Sequence, residues 1–236
     1  MPGVQQLSPE ELERGLSNCD RPDLLQQLIE ISQKNFGAHT RHFPHTVNYP
    51  WVAAHFEKTA AGSRILEIGA GANPLPLHLA EKGMLVDTID SAGFVRSLPA
   101  DENWNEWGFL DYSVIDPRIS SFNTSVTEFE PATKYDAIFS VSVISLMPTP
   151  IREAMLSRCR SWLQQDGQLL LAIDLIPGTD TLWNKGGSNE TPEQHGTFQT
   201  IEDQLRQLGF SVSESRSVRN VWKSRTDLYF LVAQLP

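Results

Sequence analysis

Arg64-Ile65-Leu66-Glu67-Ile68-Gly69-Ala70-Gly71-Ala72-Asn73 is the stretch from which the rest of the 236-residue chain is read. A short apolar run ends in an acid, a Gly-x-Gly turn follows, and Pro74 to Lys82 has helical character. A second apolar run, Met84 to Ile89, ends in Asp90. The order is strand, glycine turn, helix, and a strand closed by a carboxylate. Glycines in such a turn let backbone N–H groups approach an anionic group, and the later acid takes a ribose diol. The spacing predicts a nucleoside pocket.

Downstream the alternation continues. Tyr135 opens a strand whose apolar part is Ala137–Val143, and Thr149-Pro150 starts a helix with Ile151, Ala154, Met155, Cys159 and Trp162 on one face. Asp166-Gly167 ends that helix and Gln168–Ile173 is the next strand; an earlier strand is expected near Phe122. Near-continuous apolar strands between helices predict a parallel sheet buried on both faces. A helix over 200–208 is closed by Gly209, and two last strands, near 210–216 and 227–232, have no helix between them and should pair antiparallel. The fold class is therefore α/β, doubly wound, with a seven-stranded, mostly parallel sheet, a C-terminal antiparallel strand and an N-terminal helical lid.

Upstream, Ser8-Pro9-Glu10-Glu11 is a capped helix start. A second helix begins near Pro22 and carries Leu24, Leu25, Leu28, Ile29 and Ile31 at helical spacing until Gly37. From Ala38 to Trp51 the period vanishes, which predicts an ordered loop, and a helix follows over 51–58. Residues 1–60 are read as the lid and 61–236 as the nucleotide domain, with the polar, Gly/Pro-containing stretch 175–199 as a substrate-lid connection.

An apolar content of 40% supports a sizeable core. With 29 acidic and 19 basic side chains the net charge is −10, and long-range repulsion disfavours nucleic acid as a partner. Cys19 and Cys159 match no zinc or redox spacing and read as free thiols in a reducing compartment. The start is polar and acidic, and no apolar stretch approaches the roughly 18–20 residues that span a bilayer. The expectation is a soluble, cytoplasmic protein with no membrane partner.

Leu66-Glu67-Ile68-Gly69-Ala70-Gly71, Asp90, Tyr135-Asp136-Ala137-Ile138-Phe139-Ser140-Val141-Ser142, Trp162-Leu163-Gln164-Gln165-Asp166-Gly167-Gln168-Leu169 and the final antiparallel pair occur in an order that resembles the class I S-adenosylmethionine-dependent methyltransferases. The likeness covers roughly residues 45–236. Tyr49-Pro50-Trp51 looks like the N-terminal cover of some small-molecule members. The resemblance implies S-adenosyl-L-methionine as cofactor and methyl transfer to oxygen or nitrogen of a small-molecule acceptor. It implies that Gly69, Ala70 and Gly71 turn beneath the methionine part, that the N–H groups of Asn73–Leu75 face its carboxylate, and that Tyr49 also contacts the cofactor. Glu67 would meet its ammonium, directly or through water; the plain alternative is a solvated strand-end acid. Asp90 would bind the ribose, or else merely form a turn. Ser91 would border the adenine, with Phe94 nearby as core. The place of a third-strand acid falls on Ser125, followed by Val126. Ser140 would line the pocket beneath the sulfonium, and Asp136 at the other end of that strand is structural. The histidine that several members carry after the fourth strand is Leu146 here.

Methyl transfer is an in-line displacement at an activated carbon, so the protein chiefly aligns the acceptor and excludes water. A hydroxyl acceptor needs a general base, most often histidine. His45, near Tyr49 and Trp51, and His195, in the long connection, are the two candidates; the alternative is that each bonds loop backbone. His39, His42 and His45 are spaced by three, but no cysteine or carboxylate completes a ligand set, so no metal is predicted. Asp174, Trp51 and Trp183 are expected to face the acceptor, with Trp104 and Trp107 in similar irregular segments. A nicotinamide-linked oxidoreductase would have a third glycine where Pro74 stands. A non-catalytic S-adenosylmethionine-binding protein is left open by Ser125 and Leu146. A nucleic-acid methyltransferase is disfavoured by the charge and by Ser142-Val143-Ile144-Ser145 after the fourth strand.

Overall fold

The computed structural model describes residues 8–37, 42–93, 95, 98, 107–184, 189–219 and 226–236. The chain divides into two compact units, Met1–Thr124 and Ser125–Pro236.

In the first unit, α1 (Pro9–Asn18) starts at Ser8. The Ser8 hydroxyl accepts from the Glu11 N–H and the Glu11 carboxylate accepts from the Ser8 N–H, the reciprocal cap its sequence predicts. α2 (Pro22–Phe36) ends at Gly37, whose φ of 75° suits a residue without Cβ. α3 (His45–His55) replaces the loop expected before Trp51. Every residue from His45 to Ala53 is buried, so no polar face alternates with an apolar one and the helical period does not show in the sequence. β1 (Arg64–Ile68), β2 (Leu85–Ile89) and β3 (Ile119–Phe122) pair in parallel, with α4 (Leu75–Glu81) between the first two. Ile65 and Leu66 are fully buried, and α2 and α3 both pack on α4.

In the second unit, β4 (Tyr135–Val141) pairs in parallel with β5 (Leu163–Leu175), and α5 (Thr149–Trp162) connects them. α6 (Pro192–His195) and α7 (Phe198–Gln207) precede β6 (Ser211–Val218) and β7 (Asp227–Gln234). β7 runs antiparallel to both β5 and β6. Residues 169–173 of β5 are completely buried. Two expectations are corrected. β5 begins at Leu163 rather than Gln168: Leu163 pairs with Tyr135, then the ladder shifts and resumes at Ala137 with Gln168. Asp166, at φ 62°, marks that irregularity, a bulge and not a helix end. On α5, Ile151 is 39% exposed whereas Arg152 is fully buried, so the inward face is offset from the apolar one.

The strands follow the order β3-β2-β1-β4-β5-β7-β6 in a seven-stranded mixed sheet, and the expected doubly wound, mostly parallel class with a C-terminal antiparallel strand holds. Among the described residues no helix is long and apolar enough to cross a membrane.

Candidate functional site

The first group of site residues lies in the first unit, at the carboxyl ends of β1 and β2. Gly69 and Gly71 adopt φ of 72° and 53°, where a Cβ is disfavoured. The N–H groups of Gly69 and Ala70 donate to the Ile89 carbonyl at 2.8 and 3.3 Å, which anchors the turn to the end of β2. Asp90 completes the anchor: Oδ2 accepts from the Gly71 N–H and Oδ1 from the Ala92 N–H, both at 2.8 Å. Each oxygen keeps a second lone pair, so the carboxylate can hold the turn and accept from a diol together. Ser91 is exposed beside it.

Asn73 joins strand, turn and helix. Its Nδ2 donates to Glu67 Oε1 at 2.9 Å and to the Ala70 carbonyl at 2.6 Å, and its Oδ1 accepts from the Leu75 N–H at 2.8 Å. Its own N–H donates to Tyr112 Oη at 2.7 Å, and that hydroxyl lies 3.1 Å from the Gly71 carbonyl and 3.0 Å from the Asn73 carbonyl. The N–H groups of Asn73 and Leu75, expected to face a ligand carboxylate, are thus engaged inside the protein. Tyr112 is the residue the sequence reading missed: it is fully buried, and no local pattern marks it. Tyr112→Phe should destabilise the protein by about 1–3 kcal/mol, because the buried Asn73 N–H loses its acceptor. An unchanged urea midpoint would remove Tyr112 from this role.

Glu67 is 1% exposed and its Oε2 has no hydrogen-bond partner. Burial pushes its carboxyl well above the ordinary range; the Asn73 bond opposes this and Asp90 adds to it. Glu67 thus sets a buried carboxyl, one partner short, near the end of β1 and just before the glycine turn.

On α3, His45 stacks on Tyr49 with ring centroids 4.2 Å apart, and its Nδ1 lies 3.1 Å from Asn48 Oδ1. Trp51 is buried, and its carbonyl accepts from His55 Nδ1 at 2.8 Å. His42 meets His45 edge-on at 4.6 Å. His39, Phe94 and Trp104 fall outside the described residues.

The second group lies in the second unit, at the carboxyl ends of β4 and β5. Ser140 is buried near the end of β4. Ser142 follows with φ 58°, a left-handed conformation that a serine adopts at a cost. Its hydroxyl donates to Asp174 Oδ1 at 3.0 Å. Asp174 is 2% exposed, and burial pushes its pKa up to about 7 against the Ser142 bond. Leu175 and Leu182 then bridge, and the Trp183 N–H donates to the Asp174 carbonyl at 3.0 Å. The structure therefore brings Asp174 and Trp183 together. The Ser125 hydroxyl is occupied locally, by Glu128 Oε2 at 2.8 Å and Thr127 Oγ1 at 3.0 Å, beside buried Val126.

His195 is placed differently from its expected role. It is fully buried, its Nε2 lies 2.6 Å from the Ser145 carbonyl, and its Nδ1 lies 2.8 Å from Glu190 Oε2. Nε2 must carry hydrogen to face a carbonyl, and Nδ1 is taken by the carboxylate, so neither nitrogen is open to an acceptor. The ring ties the segment around α6 to the 3-10 turn Ile144–Leu146.

No protein-family model and no curated protein matches the chain. Solved structures do. One is the 1,6-didemethyltoxoflavin-N1-methyltransferase of Burkholderia thailandensis, solved with 1,6-didemethyltoxoflavin and S-adenosylhomocysteine: TM-score 0.61, covering 98% of this chain and 92% of that one at 14% identity. Another is Haemonchus contortus phosphoethanolamine N-methyltransferase 2 with S-adenosyl-L-methionine: TM-score 0.55, covering 80% of this chain and 52% of that one at 16% identity. A TehB-like S-adenosylmethionine-dependent methyltransferase from Corynebacterium glutamicum gives a TM-score of 0.53, covering 78% and 86% at 15% identity. The fold is that of S-adenosylmethionine-dependent methyltransferases. At such identities the likeness is one of fold, and the ligand is argued from this chain's own residues. In a methyltransferase fold, as in open α/β sheets generally, ligands bind outside the carboxyl ends of the strands. Both groups of residues described above lie at such ends.

Proposed function

We propose that the protein transfers the methyl group of S-adenosyl-L-methionine to oxygen or nitrogen of a small organic acceptor. The observation that carries the reading is Glu67: a buried carboxylate oxygen without a partner, next to a turn in which two glycines take positive φ. The residues fit the cofactor. Glu67 Oε2 suits an ammonium group, Asp90 retains lone pairs for a ribose diol, and Gly69, Ala70 and Gly71 leave the turn free of bulky side chains. Tyr49, Asn73 and Ser91 belong to the same proposed surface of the first unit. Within the second unit, Asp174 and Trp183 are assigned to the acceptor. When bound, the cofactor supplies a methyl group already activated by positive sulfur. The protein's part is to orient the acceptor, exclude water and take up a proton. His45, stacked on Tyr49 within the first unit, is the histidine that the reading retains as a base. The fold likeness to named methyltransferases supports the reading, and the net charge of −10 favours a small acceptor over nucleic acid.

Calorimetry tests it. S-adenosylmethionine and S-adenosylhomocysteine should bind the wild-type chain, and NAD should not. Asp90→Ala should weaken binding by about 1–3 kcal/mol, the scale of a lost hydrogen bond to a charged group. Binding of NAD in their place would replace the reading, and unchanged affinity in the variant would remove Asp90 from the site.

A further inference from the structure

Within the first unit, the corner formed by the end of β1, the glycine turn and the start of α4 has its hydrogen-bond donors engaged. The N–H groups of Gly69 and Ala70 donate to the Ile89 carbonyl, and that of Gly71 donates to Asp90 Oδ2. Over residues 73–76, where a helix start would ordinarily offer N–H groups to an anion, Pro74 and Pro76 have none to offer. The Asn73 N–H goes to Tyr112 Oη at 2.7 Å and the Leu75 N–H to Asn73 Oδ1 at 2.8 Å. The Asn73 amide has two hydrogens: Nδ2 gives one to Glu67 Oε1 and the other to the Ala70 carbonyl. The single phenolic hydrogen of Tyr112 serves the Gly71 and Asn73 carbonyls, at 3.1 and 3.0 Å.

What the corner leaves over is of the opposite kind. Glu67 Oε2 is buried without a partner, and both oxygens of Asp90 keep a lone pair. The charge of Asp90 also acts on Glu67. An ammonium brought here gains a charge-assisted hydrogen bond at the acceptor that the fold leaves open. A carboxylate brought here meets like charge, and every donor named above is already taken.

We infer that this corner recognises the amino-acid tail of the nucleoside by its amine and takes no part in holding its carboxylate, so that amine-bearing nucleosides lacking the carboxylate are ligands of the same site. The inference rests on the methyltransferase reading above, with Glu67 facing the ammonium. Glu67 sets the specificity for the tail. Asn73 fixes Oε1, which leaves Oε2 as the open acceptor, and Tyr112 is a positioning residue that acts through Asn73. The decarboxylated form of the cofactor falls inside this ligand class. Nucleosides whose tail ends in an acid or a phosphate and has no amine fall outside it.

Calorimetry on the full chain tests this with three compounds: S-adenosylhomocysteine, its decarboxylated analogue, which keeps the amine, and its deaminated analogue, which keeps the carboxylate. The decarboxylated compound should bind within about threefold of the parent, and the deaminated one about 10- to 100-fold more weakly. In Glu67→Gln the gap between the parent and the deaminated compound should shrink to within about threefold, because the charge that favours the amine is gone. A Glu67 of purely structural role would weaken all three compounds alike and leave that ratio unchanged. A decarboxylated compound that binds as weakly as the deaminated one, or an unchanged ratio in Glu67→Gln, would overturn the inference and leave the methyltransferase reading intact. If S-adenosylhomocysteine itself does not bind the wild-type chain, the methyltransferase reading falls and takes the inference with it.

Discussion

Arg152→Leu should lower the unfolding free energy by about 3–5 kcal/mol, measured as a shift of the denaturant midpoint at constant slope. The guanidinium is fully buried and donates to the Met147 carbonyl at 3.3 Å, to Thr149 Oγ1 at 3.1 Å and to the His195 carbonyl at 2.7 Å. Burial lowers its pKa, while Glu190 acts to raise it. Glu190 accepts from the Thr149 N–H at 2.9 and 3.2 Å, capping α5, and contacts His195. Removal of the cation strips three acceptors of their donor and takes away a positive charge that Glu190 acts on. The charge of Glu190 acts on Arg152, so neutralising Glu190 as well removes part of the imbalance. Arg152→Leu combined with Glu190→Gln should therefore recover part of the loss. A single variant as stable as the wild type would mean that the network does not form.

Glu67→Gln should move stability and ligand binding in opposite directions. The folded protein holds this carboxyl well above its ordinary value of 4.5, so the unfolded chain ionises first as pH rises. Stability is full below about 4.5 and is lost as pH climbs towards the raised folded value. Asp174 acts with the same sign between its ordinary value of 3.8 and about 7. Glutamine carries no such charge, so at pH 8 the variant should be more stable than wild type by on the order of 1–3 kcal/mol, and its pH dependence should be flatter. Affinity for S-adenosylmethionine should fall about 10- to 100-fold, the loss of one hydrogen bond to a charged group. Calorimetry with unchanged affinity would remove Glu67 from the cofactor site.

Some elements were legible in the sequence because their signals are local. The Gly-x-Gly turn, the Ser8–Glu11 cap and the apolar runs at 64–68 and 169–173 each follow from neighbouring residues. α3 was not legible, because a helix buried on every side has no period to detect. The inward turn of Arg152 was not either: its partners, His195 and Glu190, lie about 40 residues further along the chain. The site divides in the same way. Glu67, Gly69, Gly71 and Asp90 follow from strand-end placement. The parts of Tyr112, Ser142 and His195 depend on contacts made 39, 32 and 50 positions away, which no spacing rule reaches.

The place of β7 bears on how the chain is made. The ribosome delivers β5 first, then β6, and only then the strand that lies between them. Until residue 234 has cleared the exit tunnel, β5 and β6 each wait with an open edge, and the wholly apolar run 169–173 lacks its partner on that side. A nascent chain arrested before β7 is therefore a natural client for a chaperone that recognises unpaired apolar strands, whereas one released with β7 can close that half of the sheet in a single step.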